Sequence, residues 1–140
     1  MTSDGGPALF RLVRYWSRRW ATGPPSAEDR QVQHVLAVTA VDAAGAEPTI
    51  GAVAHQLGVD QSGASRLVGA ATAQGYLTRV AASGDRRRAA VALTDTGRAV
   101  LADAQSWQRA AFSELTAAWD PSDQERFAGY LQRLADEAGA

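Results

Sequence analysis

The densest group of charged side chains in the sequence is a run of three consecutive arginines, Arg86, Arg87 and Arg88. They follow a Gly-Asp pair, a common turn signal, within the stretch SGDRRRAAVALTDTG at 83–97. A guanidinium carries a permanent charge and presents a planar set of donors that fits phosphate oxygens and the edge of guanine. Taken alone, this stretch indicates either a solvated surface loop or a contact with a polyanion.

A second group of polar side chains lies upstream and could read DNA. The four residues are Gln61, Ser62, Ser65 and Arg66. They follow Asp60, a good helix N-cap residue, so they fall in the first two turns of a predicted helix. A major groove about 12 Å wide admits one α-helix, whose first turns reach base edges and phosphates. Glutamine can pair with adenine, arginine with guanine, and serine with phosphate, although the two serines could equally be plain surface hydroxyls.

The charge of the chain is unevenly distributed. The formal net charge is −1, and all fourteen basic residues are arginines. Between Asp60 and Arg98 six arginines face three aspartates, which gives this segment +3 and leaves −4 for the rest. Because attraction to phosphate acts over a Debye length of about 8 Å, a local basic patch matters more than the net charge. The basic middle of the chain therefore favours a nucleic-acid partner.

Two helices are predicted ahead of this basic segment. Residues Leu9, Val13, Trp16 and Trp20 recur at helical spacing, and GPP at 23–25 ends that pattern. A second helix is predicted from Ser26, with an apolar stripe formed by Val32, Val35, Leu36 and Thr39.

A helix-turn-helix follows. Thr49 is predicted to cap a short third helix that turns Val53 and Leu57 inward and ends at Gly58. Asp60 begins the fourth helix, which continues to Gly75. The tight Leu-Gly-Val turn between the two helices is typical of a helix-turn-helix.

The remaining segments predict a hairpin and two long helices. YLTRV at 76–80 and AAVAL at 89–93 have strand composition, and ASGDRRR between them has the composition of a hairpin loop. Thr94 is predicted to cap a helix over 95–119. DPSD at 120–123 supplies an N-cap, a proline at the first helical position and an acidic residue for a last helix.

These residues carry a family resemblance. The segment TIGAVAHQLGVDQSGASRLVGAATAQGYLTRV, followed by DRRRAAVALT and Gly97, resembles the winged helix-turn-helix of the MarR family of bacterial transcriptional regulators. The wing signature is an aspartate, an arginine two residues later and an L-T-x-x-G ending, met here by Asp85, Arg87, Leu93, Thr94 and Gly97. The pattern matches over about 49–97, and the flanking helices extend the resemblance over nearly the whole chain.

The resemblance implies a mainly α fold with a small β-wing. It implies that Asp85 holds Arg87, which enters the minor groove, while Arg86 and Arg88 meet the phosphate backbone. The chain is then a single domain over 1–140 in three parts. These are N-terminal helices at 7–45, a DNA-binding lobe at 46–97 and C-terminal helices at 98–140.

The resemblance also implies a homodimer and a small aromatic effector. Members of the family dimerise through the first, fifth and sixth helices, here 7–22, 95–119 and 121–138. Many bind small aromatic or phenolic molecules between these helices and the DNA-binding lobe. The residues that would line such a site are Tyr15, Trp16, Trp20, His34 and Trp107. The tryptophans of these helices are open to two interpretations, dimer core or ligand pocket.

Other classes of function find no support in the sequence. The chain has no cysteine, its two histidines stand apart, and it lacks the nucleophile-elbow, phosphate-loop and H-E-x-x-H motifs. We therefore expect no enzymatic activity, no metal and no cofactor. The sequence also has no run of about 18 apolar residues and no signal-peptide pattern, which predicts a cytoplasmic protein without a membrane span.

Together these features predict a sequence-specific transcriptional regulator. We expect a repressor that binds a pseudo-palindromic operator in double-stranded DNA as a dimer and is released by a small ligand. An alternative is a winged-helix protein-interaction module or antirepressor that has lost DNA binding. Gly63 and Gly69 would permit this alternative, because each costs the recognition helix about 1 kcal/mol relative to alanine.

Overall fold

The computed structural model describes residues 4–20, 27–46, 48–82 and 85–140. Within these ranges, the side chains of 17–20, 27–29, 82 and 85–88 lie outside the described part. The elements in chain order are α1 (Gly5–Trp20), α2 (Ala27–Ala43), α3 (Ile50–Leu57), α4 (Gln61–Ala73), β1 (Leu77–Ala82), β2 (Asp85–Leu93), α5 (Asp95–Leu115) and α6 (Pro121–Ala138). The prediction of a mainly α fold with a small β-wing is confirmed.

The chain forms two compact units, Met1–Gln33 and His34–Ala140, and the boundary between them falls inside α2. The first unit contains α1 and the beginning of α2. The second contains the rest of α2, the helix-turn-helix, the two strands and the last two helices. The boundaries predicted near residues 45 and 97 stay predictions.

The helix starts follow from local capping. The side-chain oxygens of four residues accept a backbone N–H near the start of the helix that each precedes, so orphan donors are satisfied. The pairs are Thr49 with Ala52 (3.2 Å), Asp60 with Gly63 (2.7 Å), Thr94 with Gly97 (3.0 Å) and Asp120 with Ser122 (2.9 Å). The Ser122 backbone N–H and hydroxyl both donate to Asp120, which lowers the pKa of that carboxyl below its ordinary 3.8. These caps confirm the predicted starts of α3 to α6.

The core of the second unit joins the middle of the chain into one hydrophobic cluster. Its buried members are Ala37, Val38, Ala40, Val41, Val53, Val68, Ala71, Leu77 and Val91, and six half-buried apolar residues pack against them. The predicted inward face of α3 is confirmed, because Val53 is buried and Leu57 is half-buried.

The predicted second helix is confirmed as α2, but its predicted apolar stripe is only partly buried, since Val32, Val35 and Thr39 are half-buried. The helix buries Ala37, Val38, Ala40 and Val41, whereas Leu36 of the predicted stripe is exposed. Alanine adds little to a hydrophobic pattern, so the sequence favoured the larger side chains. In the fold, the two alanines and the two valines belong to the same hydrophobic cluster as buried residues of α3, α4 and the hairpin.

The two strands pair antiparallel and extend further than predicted. The register runs from Leu77 opposite Leu93 to Ala81 opposite Ala89, and then jumps to Ala82 opposite Asp85. The segment predicted as a loop over 82–88 is therefore largely strand, and the three consecutive arginines lie in its irregular part. The turn residues 83 and 84 lie outside the described residues.

The last two helices are joined by aromatic contacts. α5 ends at Leu115, earlier than the predicted residue 119, so Trp119 lies in the turn before α6. The ring of Phe127 stacks on Phe112 at a centroid distance of 5.9 Å and contacts Trp119 at 5.2 Å. α6 itself has no fully buried residue.

Candidate nucleic-acid interface

Helix α4, the second helix of the helix-turn-helix, has one buried side and one exposed side. Ala64, Val68 and Ala71 are fully buried against the core of the second unit. The four residues predicted to contact DNA are all exposed, namely Gln61, Ser62, Ser65 and Arg66. The capping and packing of α4 thus present the polar groups of its first two turns to solvent.

Arg66 provides the charge on this exposed side. Among the side chains that the structure describes, it has no acidic partner. An unpaired, exposed guanidinium keeps its five donors available for a base edge or a phosphate.

The wing places the other predicted contacts on one strand. The backbone of Asp85, Arg86, Arg87 and Arg88 begins β2, and their side chains lie outside the described residues. The predicted bond between Asp85 and Arg87 therefore stays a prediction.

A further arginine on the wing did not enter the sequence prediction. Arg79 lies on β1 with its Cα opposite that of Val91, and its side chain is exposed. It adds a positive charge to the hairpin. The count of charges between residues 60 and 98 included Arg79, but strand geometry was needed to place it on the wing.

Arg98, also in the basic segment, is held within the chain. Its guanidinium donates to Asp95 at 2.5 Å and to the backbone oxygen of Leu93 at 3.3 Å. Because both side chains of this ion pair are mostly exposed, its contribution to stability is small. Because this ion pair engages the Arg98 guanidinium at the base of the wing, Arg98 is not part of the candidate interface.

A compact joint connects the recognition helix, the wing and α5. The Thr94 hydroxyl donates to the backbone oxygen of Gly75 at 2.6 Å, and the Thr94 N–H donates to that of Tyr76 at 3.1 Å. Gly97 packs directly on the Tyr76 carbonyl, since an added Cβ would lie 2.0 Å from that oxygen. This joint fixes the end of α4 and the start of the wing against the long helix α5.

The residues predicted to line an effector site are divided between the two units. In the first unit, the rings of Tyr15 and Trp16 form an edge contact at 5.1 Å, and the side chain of Trp20 lies outside the described residues. In the second unit, Trp107 on α5 is exposed.

His34, in the second unit, has an unusual environment. Its ring contacts Tyr76 edge-on at 5.7 Å. The Nδ1 atom of His34 is buried and has no hydrogen-bond partner among the described residues. Buried polar atoms are normally satisfied, so this nitrogen is a candidate ligand contact.

The described residues contain neither a metal-binding cluster nor a membrane-spanning helix. No group of three or more His, Cys, Asp or Glu side chains there could hold a metal ion. None of the helices described is both long enough and apolar enough to cross a bilayer.

A capped helix-turn-helix followed by an arginine-bearing two-stranded hairpin defines the winged helix-turn-helix class. Residues 28–88 match a sequence model of the MarR family, which confirms the resemblance seen in the sequence. The fold is that of MarR family transcriptional regulators. No curated protein sequence matches the chain.

Solved structures share this fold over almost the full length of the chain. A MarR family transcriptional regulator from Silicibacter pomeroyi is 24% identical with a TM-score of 0.66, covering 94% of this chain and 86% of that one. A MepR variant from S. aureus, bound to an oligodeoxyribonucleotide, is 16% identical with a TM-score of 0.58, covering 94% and 96%. BpsR from Bordetella bronchiseptica, whose DNA binding is regulated by 6-hydroxynicotinic acid, is 17% identical with a TM-score of 0.57, covering 91% and 98%.

Proposed function

We propose that this protein is a sequence-specific DNA-binding regulator that uses α4 in the major groove and the β-hairpin in the adjacent minor groove. The observation that carries the proposal is the exposed side of α4, where Gln61, Ser62, Ser65 and Arg66 lie opposite three buried core residues. The similar fold of the DNA-bound MepR variant supports it.

The wing arginines complete the proposed interface. Arg87, oriented by Asp85, reads the width of the minor groove, where A·T-rich tracts concentrate negative potential. Arg86 and Arg88 neutralise backbone phosphates. Arg66 and the three wing arginines would give a dimer roughly eight charge contacts, so log affinity should fall with log salt at a slope of about −7.

The protein acts in this proposal as a homodimer on a pseudo-palindromic site. Apolar side chains on the helices that would dimerise are exposed in the single chain. They are Leu9, Phe10, Leu12 and Val13 on α1, Trp107 and Leu115 on α5, and Tyr130, Leu131 and Leu134 on α6. Within each unit, large exposed apolar groups on one helix are typical of a face that a partner covers.

The ligand-release part of the proposal concerns His34. A small aromatic acid or phenol could satisfy the buried Nδ1 of His34, and the ring contact with Tyr76 links that position to the joint between α4 and the wing. A ligand bound there would shift the recognition helix and release the repressor. That 6-hydroxynicotinic acid regulates DNA binding of BpsR, a protein of similar fold, supports this class of ligand.

A gel-shift titration on the intergenic DNA upstream of the protein's own gene tests the DNA-binding proposal. We expect one saturable complex that random DNA of equal length competes for poorly, and that Arg66→Ala weakens strongly. No binding to either DNA would favour the protein-interaction alternative, and equal affinity for both would contradict sequence-specific recognition.

A further inference from the structure

Gly69 lies on the exposed side of α4, one turn beyond Arg66. It is at i+3 from Arg66 and i+7 from Ser62, so it shares their face of the helix. It is exposed, whereas Val68 and Ala71 beside it are fully buried. The exposed side of α4 therefore carries no side chain one turn beyond Arg66.

Nothing in the described part of the chain requires glycine at this position. No described atom lies within 4 Å of where a Cβ at Gly69 would be, and the backbone there is ordinary α-helix. Two other glycines differ, because an added Cβ at Gly63 would lie 2.8 Å from Asp60 Oδ1 and one at Gly97 would lie 2.0 Å from the Tyr76 oxygen. Gly69 thus weakens the helix without any gain in packing within the chain.

Space left empty on a binding face is available to the partner. An α-helix with its side chains is about 10–12 Å across, and the major groove is about 12 Å wide. The outward side chains therefore decide how deeply a recognition helix can lie. Glycine is suited to positions where the backbone itself must come close to a ligand.

We propose that Gly69 is the point of closest approach between α4 and the floor of the major groove. The missing side chain lets the helix lie deep enough for Ser65 and Arg66 to reach base edges, which makes Gly69 a positioning residue for operator recognition. This inference rests on the proposed function, because it assumes that α4 enters the groove.

Gly69→Ala tests the inference, and Gly129→Ala in α6 is its matched control. Gly129 also lies inside a helix, is exposed, and has no described atom within 4 Å of an added Cβ. Helical periodicity turns it about 100° or more away from Tyr130, Leu131 and Leu134, the apolar side chains through which α6 would dimerise. Both changes should raise the melting temperature by roughly 2–8 °C, since alanine favours the helix. Binding is measured by gel shift on a duplex that the wild-type protein selects from a random-sequence pool.

We expect Gly69→Ala to weaken binding to this duplex by about 5- to 150-fold, the usual range for a lost specific contact, although the variant is more stable. Gly69→Leu should weaken it further, and Gly129→Ala should bind like the wild type. A Gly69→Ala protein that binds within about twofold of wild type, while Arg66→Ala loses affinity, would overturn the role of Gly69 and leave the proposed function intact. If no duplex is selected, or if Arg66→Ala binds normally, both are overturned.

Discussion

The joint at Gly97 gives a sharp test of how the fold positions the DNA-binding elements. A Cβ at this position would lie 2.0 Å from the Tyr76 oxygen and 3.0 Å from the Tyr76 carbonyl carbon. Ordinary carbon–oxygen contacts are about 3.3–3.6 Å, so Gly97→Ala forces α5 and the start of the wing apart by about an ångström or more. The same carbonyl accepts the Thr94 N–H at 3.1 Å, and this bond would be strained or lost.

The expected cost follows from these two effects. Overpacking costs about 1–3 kcal/mol, and a lost hydrogen bond costs about 1 kcal/mol. Alanine in a helix returns up to about 1 kcal/mol relative to glycine. The net loss should be about 1–3 kcal/mol, which lowers a urea midpoint by about 0.5–1.5 M for a slope near 2 kcal/mol per molar urea.

Urea unfolding followed by circular dichroism measures this loss, at fixed protomer concentration because dimerisation couples to stability. Gly129→Ala makes the same chemical change without a nearby atom and should raise the midpoint. Gly97→Ala should also weaken DNA binding, since the joint connects α4 to the wing. A Gly97→Ala midpoint equal to or above that of the wild type would refute the geometric reasoning.

Three further predictions concern the interface, the dimer and the effector. Arg86→Ala should weaken binding to operator and random DNA alike and flatten the salt slope by one to two units per dimer. Arg87→Ala should instead weaken binding to the operator by about 1–3 kcal/mol per half-site more than binding to random DNA. Fluorescence anisotropy at several salt concentrations separates the two variants, and identical losses would contradict distinct roles. Deletion of 121–140 removes Phe127, which packs on two aromatic rings. The shortened protein should lose both its dimeric mass in analytical ultracentrifugation and its DNA binding. A monomer that binds DNA with unchanged affinity would contradict the proposal that the protein binds as a dimer. Binding of an aromatic acid should quench tryptophan fluorescence and weaken operator binding, and the operator should weaken binding of the acid by the same coupling free energy. His34→Ala should abolish both effects. A ligand that acts equally on this variant would exclude His34 as its contact.

Much of the fold could be predicted because its signals are local. Thr49, Asp60, Thr94 and Asp120 each bond to an N–H two or three residues away, so residue type and spacing suffice to place the start of a helix. Gly58 ends α3 with a φ of 66°, a conformation that glycine adopts without steric cost. The order of these signals was enough to predict the helix-turn-helix and the hairpin.

The exposed side of α4 was also predictable in outline. A helix that starts at Asp60 has a fixed periodicity, so the polar residues of its first turns fall together once Val68 is assigned to the core. The fold added that Gly69, on the same side one turn later, has no described atom within 4 Å of an added Cβ, because that distance depends on every neighbouring element.

Contacts between segments distant in sequence were decided by the tertiary structure. The buried face of α2 depends on which neighbours pack against it, so its alanines became core although Leu36 looked more apolar. The arginine segment became part of a strand because Asp85 before it and Ala89 after it pair with β1, and loop composition does not reveal such pairing. The contact of His34 with Tyr76 and the approach of the Tyr76 carbonyl to Gly97 join residues far apart in sequence. The sequence by itself determined which elements form and where they begin, since these depend on neighbouring residues, and packing in three dimensions determined which of their faces meet.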